Sequence, residues 1–464
     1  MVSDSHHIEA ASACSYPQRE GNRVEALVDG GPAFEQICRA VEKARASVWV
    51  TVAFLEEDIE MPGGRGGFFE MLERAAAGGL DVRVLFWSEP ELASQLADSS
   101  HFPACKESLA ALVRRAPSVR ARWDYVKGHC HHQKSWLVDA GLDTERAFVG
   151  GINLDKGSVV GPDHPATSVT GLEGNVHDVY LELAGPSATD VHHNFVQRWN
   201  EASERRESYG AYPDLDVADD LPFPVAVSAA VGSSLIQISR SVLAGLYSVE
   251  TPTPGGEVFD ISAGETSVRE QYSLAVTSAR SFVYLENQML MCPKLISQLS
   301  AALERGVEVI VLAPRKAMPA IREHRDHPKL RPTLDMLAAL ERFENFTMAA
   351  PAARRGPGLW EEIYVHAKTA VIDDAWVTVG STNTMSRSFR GDTELNATVW
   401  DSAFASGLRV RLFNEQLGQD CAEMGMTEAL RFYHETAREN AERRERDEDI
   451  SGFAVAFDPA TWAD

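Results

Sequence analysis

Two short segments carry residue types suited to nucleophilic and acid–base chemistry. HHQKSWLVD holds His132, Lys134 and Asp139, and VHAKTAVID holds His366, Lys368 and Asp373. A glycine and an asparagine follow each at similar spacing: Gly150, Gly151 and Asn153 after the first, Gly380, Ser381 and Asn383 after the second. Both segments read as strand, tight turn, strand. Residues i and i+2 share a strand face, so the His and Lys of each segment point the same way. One H-x-K-xxxx-D match carries little weight, but two at matched places in a repeat carry a great deal.

The chemistry these types suit is cleavage of a phosphodiester. The diester anion repels nucleophiles, and its leaving alkoxide is poor. A neutral imidazole can attack phosphorus and form a covalent phosphohistidine. A second, protonated imidazole can give its proton to the departing alcohol. Histidine suits both tasks because its proton changes hands near neutral pH. Lys134 and Lys368 supply positive charge to the phosphoryl oxygens. Asn153, Asn383, the Ser381 hydroxyl and backbone N–H groups around Gly151 add neutral donors. Such a site requires no metal and no cofactor. Each imidazole also needs an acceptor on its other nitrogen. For His366 the candidate is Glu394 in DTELNATVWD, and for His132 it is Asp178 in VHDVYLELAG. Asp139 and Asp373 stand at strand ends, where they fix turns rather than touch substrate.

These residues must be positioned by repeated elements. ARASVWVTVAFLE from Ala44 matches SARSFVYLENQML from Ser278, each a helix end leading into a buried strand. AGGLDVRVLFW around Gly79 matches ERGVEVIVLAP around Gly306. His132 follows Ser47 by 85 residues, and His366 follows Ser281 by 85. The spacing predicts two halves of similar design, with helices over 34–46, 67–77, 292–305 and 333–343 packed on a mixed sheet, an α/β architecture. The expected boundaries are an extension over 1–23, a first half over 24–211, a linker over 212–232, a second half over 233–440 and a charged tail over 441–464. The join is the Pro- and Asp-rich stretch YPDLDVADDLPFP.

Composition narrows the substrate. Against 44 basic residues stand 68 acidic ones, a formal charge of -24. Nucleic-acid binders draw most of their affinity from basic faces, so DNA and RNA are disfavoured. The N-terminus lacks the basic and apolar regions of a secretory signal, and no apolar run is long enough to span a bilayer. The six cysteines are scattered without CxxC pairing, which fits reduced thiols and a cytoplasmic location. His129, His131 and His132 cluster with Cys130, but alternate strand residues face opposite ways, so a single tetrahedral metal site there is awkward. His192 and His193 read as helix-surface and core-edge residues. Trp49, Trp123, Trp199, Trp360 and Trp376 read as core, with the pocket mouth as the alternative.

At these blocks the chain resembles the phospholipase D superfamily, whose signature is the duplicated HxKxxxxD motif with a downstream G-x-N. HHQKSWLVD with AFVGGINLDKG, VHDVYLELAGPSATDVHHNFVQRWN, FVYLENQML, and YVHAKTAVIDDAWVTVGSTNTMSRSF with DTELNATVWD look like the matching regions of true phospholipases D. The resemblance implies two α-β-α-β-α sandwich halves related by a pseudo-two-fold, with the active site at their interface. It implies ping-pong hydrolysis of a phosphatidylcholine-like lipid to phosphatidic acid and a free headgroup alcohol, with transphosphatidylation. His132 falls at the usual nucleophile position and His366 at that of the acid, with Asp178 and Glu394 as their carboxylates. Lys134, Lys368, Asn153 and Asn383 fall at phosphate-binding positions. The expected partners are a phospholipid and, transiently, a membrane surface, with the protein a monomer and no nucleic acid bound. The rival readings are a cardiolipin-synthase-like phosphatidyltransferase, a nuclease of the same superfamily, and an inactive scaffold, which would be expected to have lost a motif His or Lys.

Overall fold

A computed structural model describes residues 7–95, 101–103, 105–170, 174–202 and 219–464. Residues 212–218 of the expected join lie outside the described residues.

The run SVWVTV forms a central strand because both its faces are buried. Val48, Val50 and Val52 face one core, and Trp49 faces another. This strand, β2 (Ser47–Val52), belongs to a sheet with β1 (Arg19–Val28), β3 (Asp81–Trp87), β4 (Arg120–Asp124), β5 (Ser135–Val138), β6 (Arg146–Gly150) and β8 (Val179–Ala184). The two-residue β7 (Val176–His177) stands apart. The sheet order is β4-β3-β2-β5-β6-β8-β1, parallel from β4 to β2 and antiparallel onward.

After β9 (Ser234–Val242) and β10 (Glu265–Thr266) the second region repeats the pattern. It contains β11 (Phe282–Asn287), β12 (Leu290–Met291), β13 (Glu308–Leu312), β14 (Phe346–Gly356), β15 (Leu359–Glu362), β16 (Tyr364–Val365), β17 (Lys368–Ile372), β18 (Trp376–Gly380), β19 (Thr384–Met385), β20 (Glu394–Trp400) and β21 (Ala454–Ala456). Here β14, β13 and β11 run parallel, and β17, β18, β20 and β9 follow antiparallel. At Arg19 and Asn22, β1 also pairs with β9, which makes the whole one large mixed sheet.

Apolar side chains of β5, β6 and β8, including Leu137, Val149 and Leu181, share a core with Val371, Val379 and Leu395 of β17, β18 and β20. Each such residue stabilises the fold by roughly 1.5–3 kcal/mol through burial. Helices cover the outer faces. Those at Gly30–Glu42 and Phe68–Ala77 pack Ile37, Val41 and Leu72 on the first region, and those at Ser267–Ser278 and Pro293–Glu304 pack Tyr272, Leu295 and Leu299 on the second. The helix expected over 333–343 is α-helical over Arg331–Ala338 and tightens to a 3-10 turn at Ala339–Arg342.

Three stretches show packing that the sequence reading did not foresee. Helix Ala188–Glu201 is buried along nearly its whole length, so His192 and His193 are core residues. His192 Nδ1 lies 2.9 Å from Glu145, and His193 meets the Tyr16 hydroxyl and the Thr251 carbonyl, because the N-terminal segment and the loop around Thr251 cover this helix. The N-terminal segment is packed too: Ile8 is buried and its carbonyl accepts from the Trp400 indole at 2.7 Å. Beyond the charged helix Met426–Glu445, β21 pairs with β14 and Trp462 is buried, so the last residues are part of the core rather than a solvated tail.

Candidate active site

Two short backbone bridges between the regions set the site. In the first, β7 pairs with β16, so the N–H of His366 donates to the His177 carbonyl at 2.9 Å. The residue after His177 is Asp178, and its Oδ2 lies 2.6 Å from His366 Nδ1. In the second, His131 bridges to Thr393, and the N–H of His132 donates to the Thr393 carbonyl at 2.9 Å. The next residue is Glu394, whose Oε2 lies 3.1 Å from His132 Nδ1. The pairing is therefore crossed. His132 takes Glu394 and His366 takes Asp178, the reverse of the expectation from sequence. The cause is register: each carboxylate follows the residue that hydrogen-bonds to the other region's histidine backbone.

The two dyads differ in their other contacts. His132 Nδ1 also lies 2.9 Å from the Ser381 carbonyl. A carbonyl only accepts, so this nitrogen carries the proton, and Nε2 of a neutral ring is left with a free lone pair. Burial, then the charges of Lys134 and Lys368, holds the His132 imidazole well below its ordinary value. Burial and the charge of Asp392 push the Glu394 carboxyl up to about 8. Burial alone would raise Asp178 as well, but the hydrogen bond and charge of His366 outweigh it and hold this carboxyl below its usual range. Burial and Lys368 bring the His366 imidazole down to about 3.

Both lysines are buried and turn their Nζ toward the carbonyl of their own motif's histidine, Lys134 to His132 and Lys368 to His366. Burial lowers the Lys368 ammonium to about 7. Asn153 and Asn383 line the cavity, and each keeps a buried Oδ1 with no hydrogen-bond partner among the described residues. Gly151 and Ser381 were expected on the phosphate and are not there. The Gly151 N–H donates to the Val179 carbonyl, and a Cβ at this position would fall 2.4 Å from Asp178 Oδ1. The Ser381 hydroxyl is fully buried and donates to Glu394 Oε2 at 2.5 Å. Both residues sit at the carboxylates because the strand pairing spends their N–H groups and turns them inward. Asp139 and Asp373 lie at left-handed turns, with φ of 58° and 55°. Asp139 accepts from the N–H groups of Arg45 and Ala46, and Asp373 from those of Arg280, Ser281 and Phe282, so each clamps the entry to the neighbouring central strand.

The two imidazoles open on a cavity of about 500 Å³. Phe54, Met289, Met318, Tyr364 and Met385 give it apolar walls, while Glu56, Asp155 and Asp392 bring carboxylates. Phe54 stands edge-on to His132, and Tyr364 lies nearly parallel to His366. Gln288 also lines the cavity, and its Oε1 lies 3.4 Å from Lys368 Nζ. Sequence reasoning assigned no role to these residues; for Gln288 the signal was its place in the FVYLENQML block. The tryptophans singled out from sequence are absent from the lining. Of the His129–His132 cluster, Cys130 faces the cavity, and His131 turns away to Asp124 at 3.2 Å. A cleft of about 620 Å³ near Arg315, Arg438 and Arg444 contains none of the motif residues.

Residues 166–296 match the family model described as Phospholipase D, and residues 274–415 match the one described as Cardiolipin synthase, PLD-like domain. Phospholipase D A of Dictyostelium discoideum is 23% identical over 87% of this chain and 36% of its own length. Cardiolipin synthase 1 of Staphylococcus aureus is 23% identical over 84% of this chain and 66% of its own length. The chain thus spans about a third of the one and just under two thirds of the other. The crystal structure of phosphatidylserine synthase from Haemophilus influenzae shares the fold, with a TM-score of 0.52 at 15% identity over 84% of each chain. The chain belongs to the phospholipase D superfamily, whose members are phosphodiesterases and phosphatidyltransferases. Among the described residues, no helix is long and apolar enough to cross a membrane.

Proposed function

We propose that this chain is a phospholipase D type enzyme that cleaves a phosphatidylcholine-like lipid into phosphatidic acid and a free headgroup alcohol. The observation that carries the reading is the crossed pair of dyads, His132–Glu394 and His366–Asp178, opening on one cavity. His132 Nε2 attacks phosphorus, and the bond to the headgroup oxygen breaks with its electron pair leaving on that oxygen. His366 delivers the proton that the oxygen needs. Burial and Lys368 keep His366 neutral before substrate binds. As substrate binds, the diester anion and Asp178 supply the negative charge with which His366 takes up a second proton, on Nε2, from solvent, and this is the proton it delivers. Water, activated by the then neutral His366, hydrolyses the phosphatidyl-His132 intermediate, and an alcohol in place of water gives transphosphatidylation.

The same strand order in both regions supports two sandwich halves related by a pseudo-two-fold, with the dyads exchanged across it. Methionine and aromatic walls suit glycerol and acyl carbons. The aromatic faces of Phe54 and Tyr364, with nearby carboxylates, suit a cationic headgroup. In this reading the protein works from the cytoplasm and meets the membrane surface only transiently.

The test is product identification by mass spectrometry from a mixed lipid extract, with and without ethanol. Phosphatidic acid, diverted to phosphatidylethanol by ethanol, is expected. Cardiolipin formed from phosphatidylglycerol would assign the chain to the transferases instead. Untouched lipid together with cleaved DNA would overturn the lipid reading.

A further inference from the structure

One residue before Asp178, a second group of polar side chains meets, buried and distinct from the catalytic groups. His177 Nδ1 lies 3.0 Å from Asp29 Oδ1 and 3.1 Å from Glu415 Oε1. His164 Nε2 lies 3.2 Å from the same Glu415 oxygen and 3.8 Å from Asp29 Oδ2. One donor atom from each of the four residues falls within 4.8 Å of all the others. Side-chain exposure is 0% for Asp29, 1% for His164, 2% for His177 and 6% for Glu415, so water does not solvate this charge.

The surroundings orient these groups toward a shared centre. The Asn175 amide donates to the Pro165 carbonyl and to Glu361, which turns its Oδ1 to His164 Nδ1 at 2.7 Å. That oxygen accepts the Nδ1 proton, so Nε2 of a neutral His164 ring aims its lone pair inward at two carboxylates. On the far side of His177, Nε2 stands 3.2 Å from Glu286 Oε2, an ion-pair distance without the geometry of a hydrogen bond. Among the described residues, no hydrogen-bond donor reaches the buried Asp29 Oδ2 or Glu415 Oε2. Lone pairs facing buried carboxylates repel unless a proton or a metal ion lies between them.

We propose that Asp29, His164, His177 and Glu415 bind one divalent metal ion of the zinc class. Bonds of about 2.0–2.2 Å to nitrogen and oxygen place tetrahedral ligands about 3.3–3.6 Å apart, close to the separations seen here. Two imidazoles favour a transition metal over calcium or magnesium, which take oxygen ligands. Two carboxylates balance the ion's charge. The ion would tie β1, β7 and helix Ser402–Leu417 together. It would also fix Asp178, because the Asp29 N–H donates to the Asp178 carbonyl at 2.8 Å and the His177 carbonyl accepts from His366. The proposal does not depend on the lipid reading. The rival occupant is a proton on each ring: although burial opposes it, Glu286, Glu415 and Asp29 raise the His177 imidazole well above its ordinary value.

The test uses the full chain without a histidine tag, stripped by a chelator, given Zn²⁺ or Co²⁺ and desalted. Metal content is read by mass spectrometry, and geometry by the visible absorption of Co²⁺. Wild type is expected to keep about one ion per chain with a tetrahedral cobalt spectrum. His164→Ala and Glu415→Gln should each lose the ion, Asn175→Ala should weaken it ~10–100-fold, and His132→Ala and the exposed His324→Ala should keep it. If the ligand variants fail to fold, the wild-type cobalt spectrum and Asn175→Ala decide. Folded wild type that keeps no metal, or metal retained unchanged by His164→Ala and Glu415→Gln, would overturn the proposal in favour of the protonated network.

Discussion

In one dyad Asp178 meets His366 at 2.6 Å, and its carboxylate occupies space that only a glycine at position 151 leaves open. In the other, Glu394 reaches His132 at 3.1 Å and is held by the hydroxyl of Ser381, the residue corresponding to Gly151. The backbone frames match, but the side chains do not. The short Asp against Gly151 gives an anionic partner, which favours a ring that must become protonated. The longer Glu with Ser381, beside Asp392, gives a carboxyl that keeps its proton to about pH 8, while the Ser381 carbonyl fixes the tautomer of His132. Two copies of one motif have thus been tuned apart by a methylene and a hydroxyl. In the proposed mechanism His132 becomes the nucleophile and His366 the acid.

The largest expected difference lies in catalysis. Asp178→Asn should lower kcat by ~10³-fold or more, because it removes the charge that stabilises the protonated acid. Glu394→Gln should cost only about 10-fold, since the Ser381 carbonyl still holds the Nδ1 proton. Steady-state kinetics on one substrate compares the two, and equal losses would erase the distinction. Next comes Gly151→Ala, whose methyl would collide with Asp178. Misplacing that carboxylate should cost about 10²-fold in kcat, whereas Ser381→Ala should lose only about 1 kcal/mol of stability and less activity.

The smallest effect is on stability, and its sign differs between the dyads. Glu394 binds its proton more tightly when folded, so its contribution is present at low pH and is lost as pH rises from the ordinary carboxyl range toward about 8. Glu394→Gln escapes that loss, so thermal unfolding at about pH 8.5 should show a Tm above wild type, with the gap closing near about pH 5. Asp178, held low, stabilises the fold above the ordinary range and loses that contribution as pH falls through its folded value. Asp178→Asn should therefore have a lower Tm than wild type at neutral pH.

Much of the site was legible because its chemistry sits in short periodic text. His132, Lys134, His366 and Lys368 are readable from type, strand alternation and an 85-residue echo. Asp178 and Glu394 were found as carboxylates entering matched strands, yet each was given to the wrong histidine. Sequence distance carries no information about the β7–β16 pairing or the His131–Thr393 bridge, which cross between regions. The same blindness hid the group of Asp29, His164, His177 and Glu415, drawn from four distant segments. Gly151 and Ser381 misled for another reason. Their motif position suggests a phosphate loop, but strand pairing consumes their N–H groups. The central strands were read well, since double-sided burial demands continuous β-branched and aromatic runs. The packed C-terminal residues were missed because a long charged helix precedes them.

In the proposed mechanism the two histidines are differentiated, and His132 takes the phosphoryl group. An activated phosphodiester, whose aryl leaving group needs no proton, isolates that step. After reaction with it, His366→Ala and His132→Ala can each be examined by intact and peptide mass spectrometry under alkaline conditions that preserve phosphohistidine. A covalent adduct on His132 in His366→Ala, with none in His132→Ala, is predicted. An adduct on His366 in His132→Ala, or no adduct in either variant, would overturn the assignment of His132 as the nucleophile.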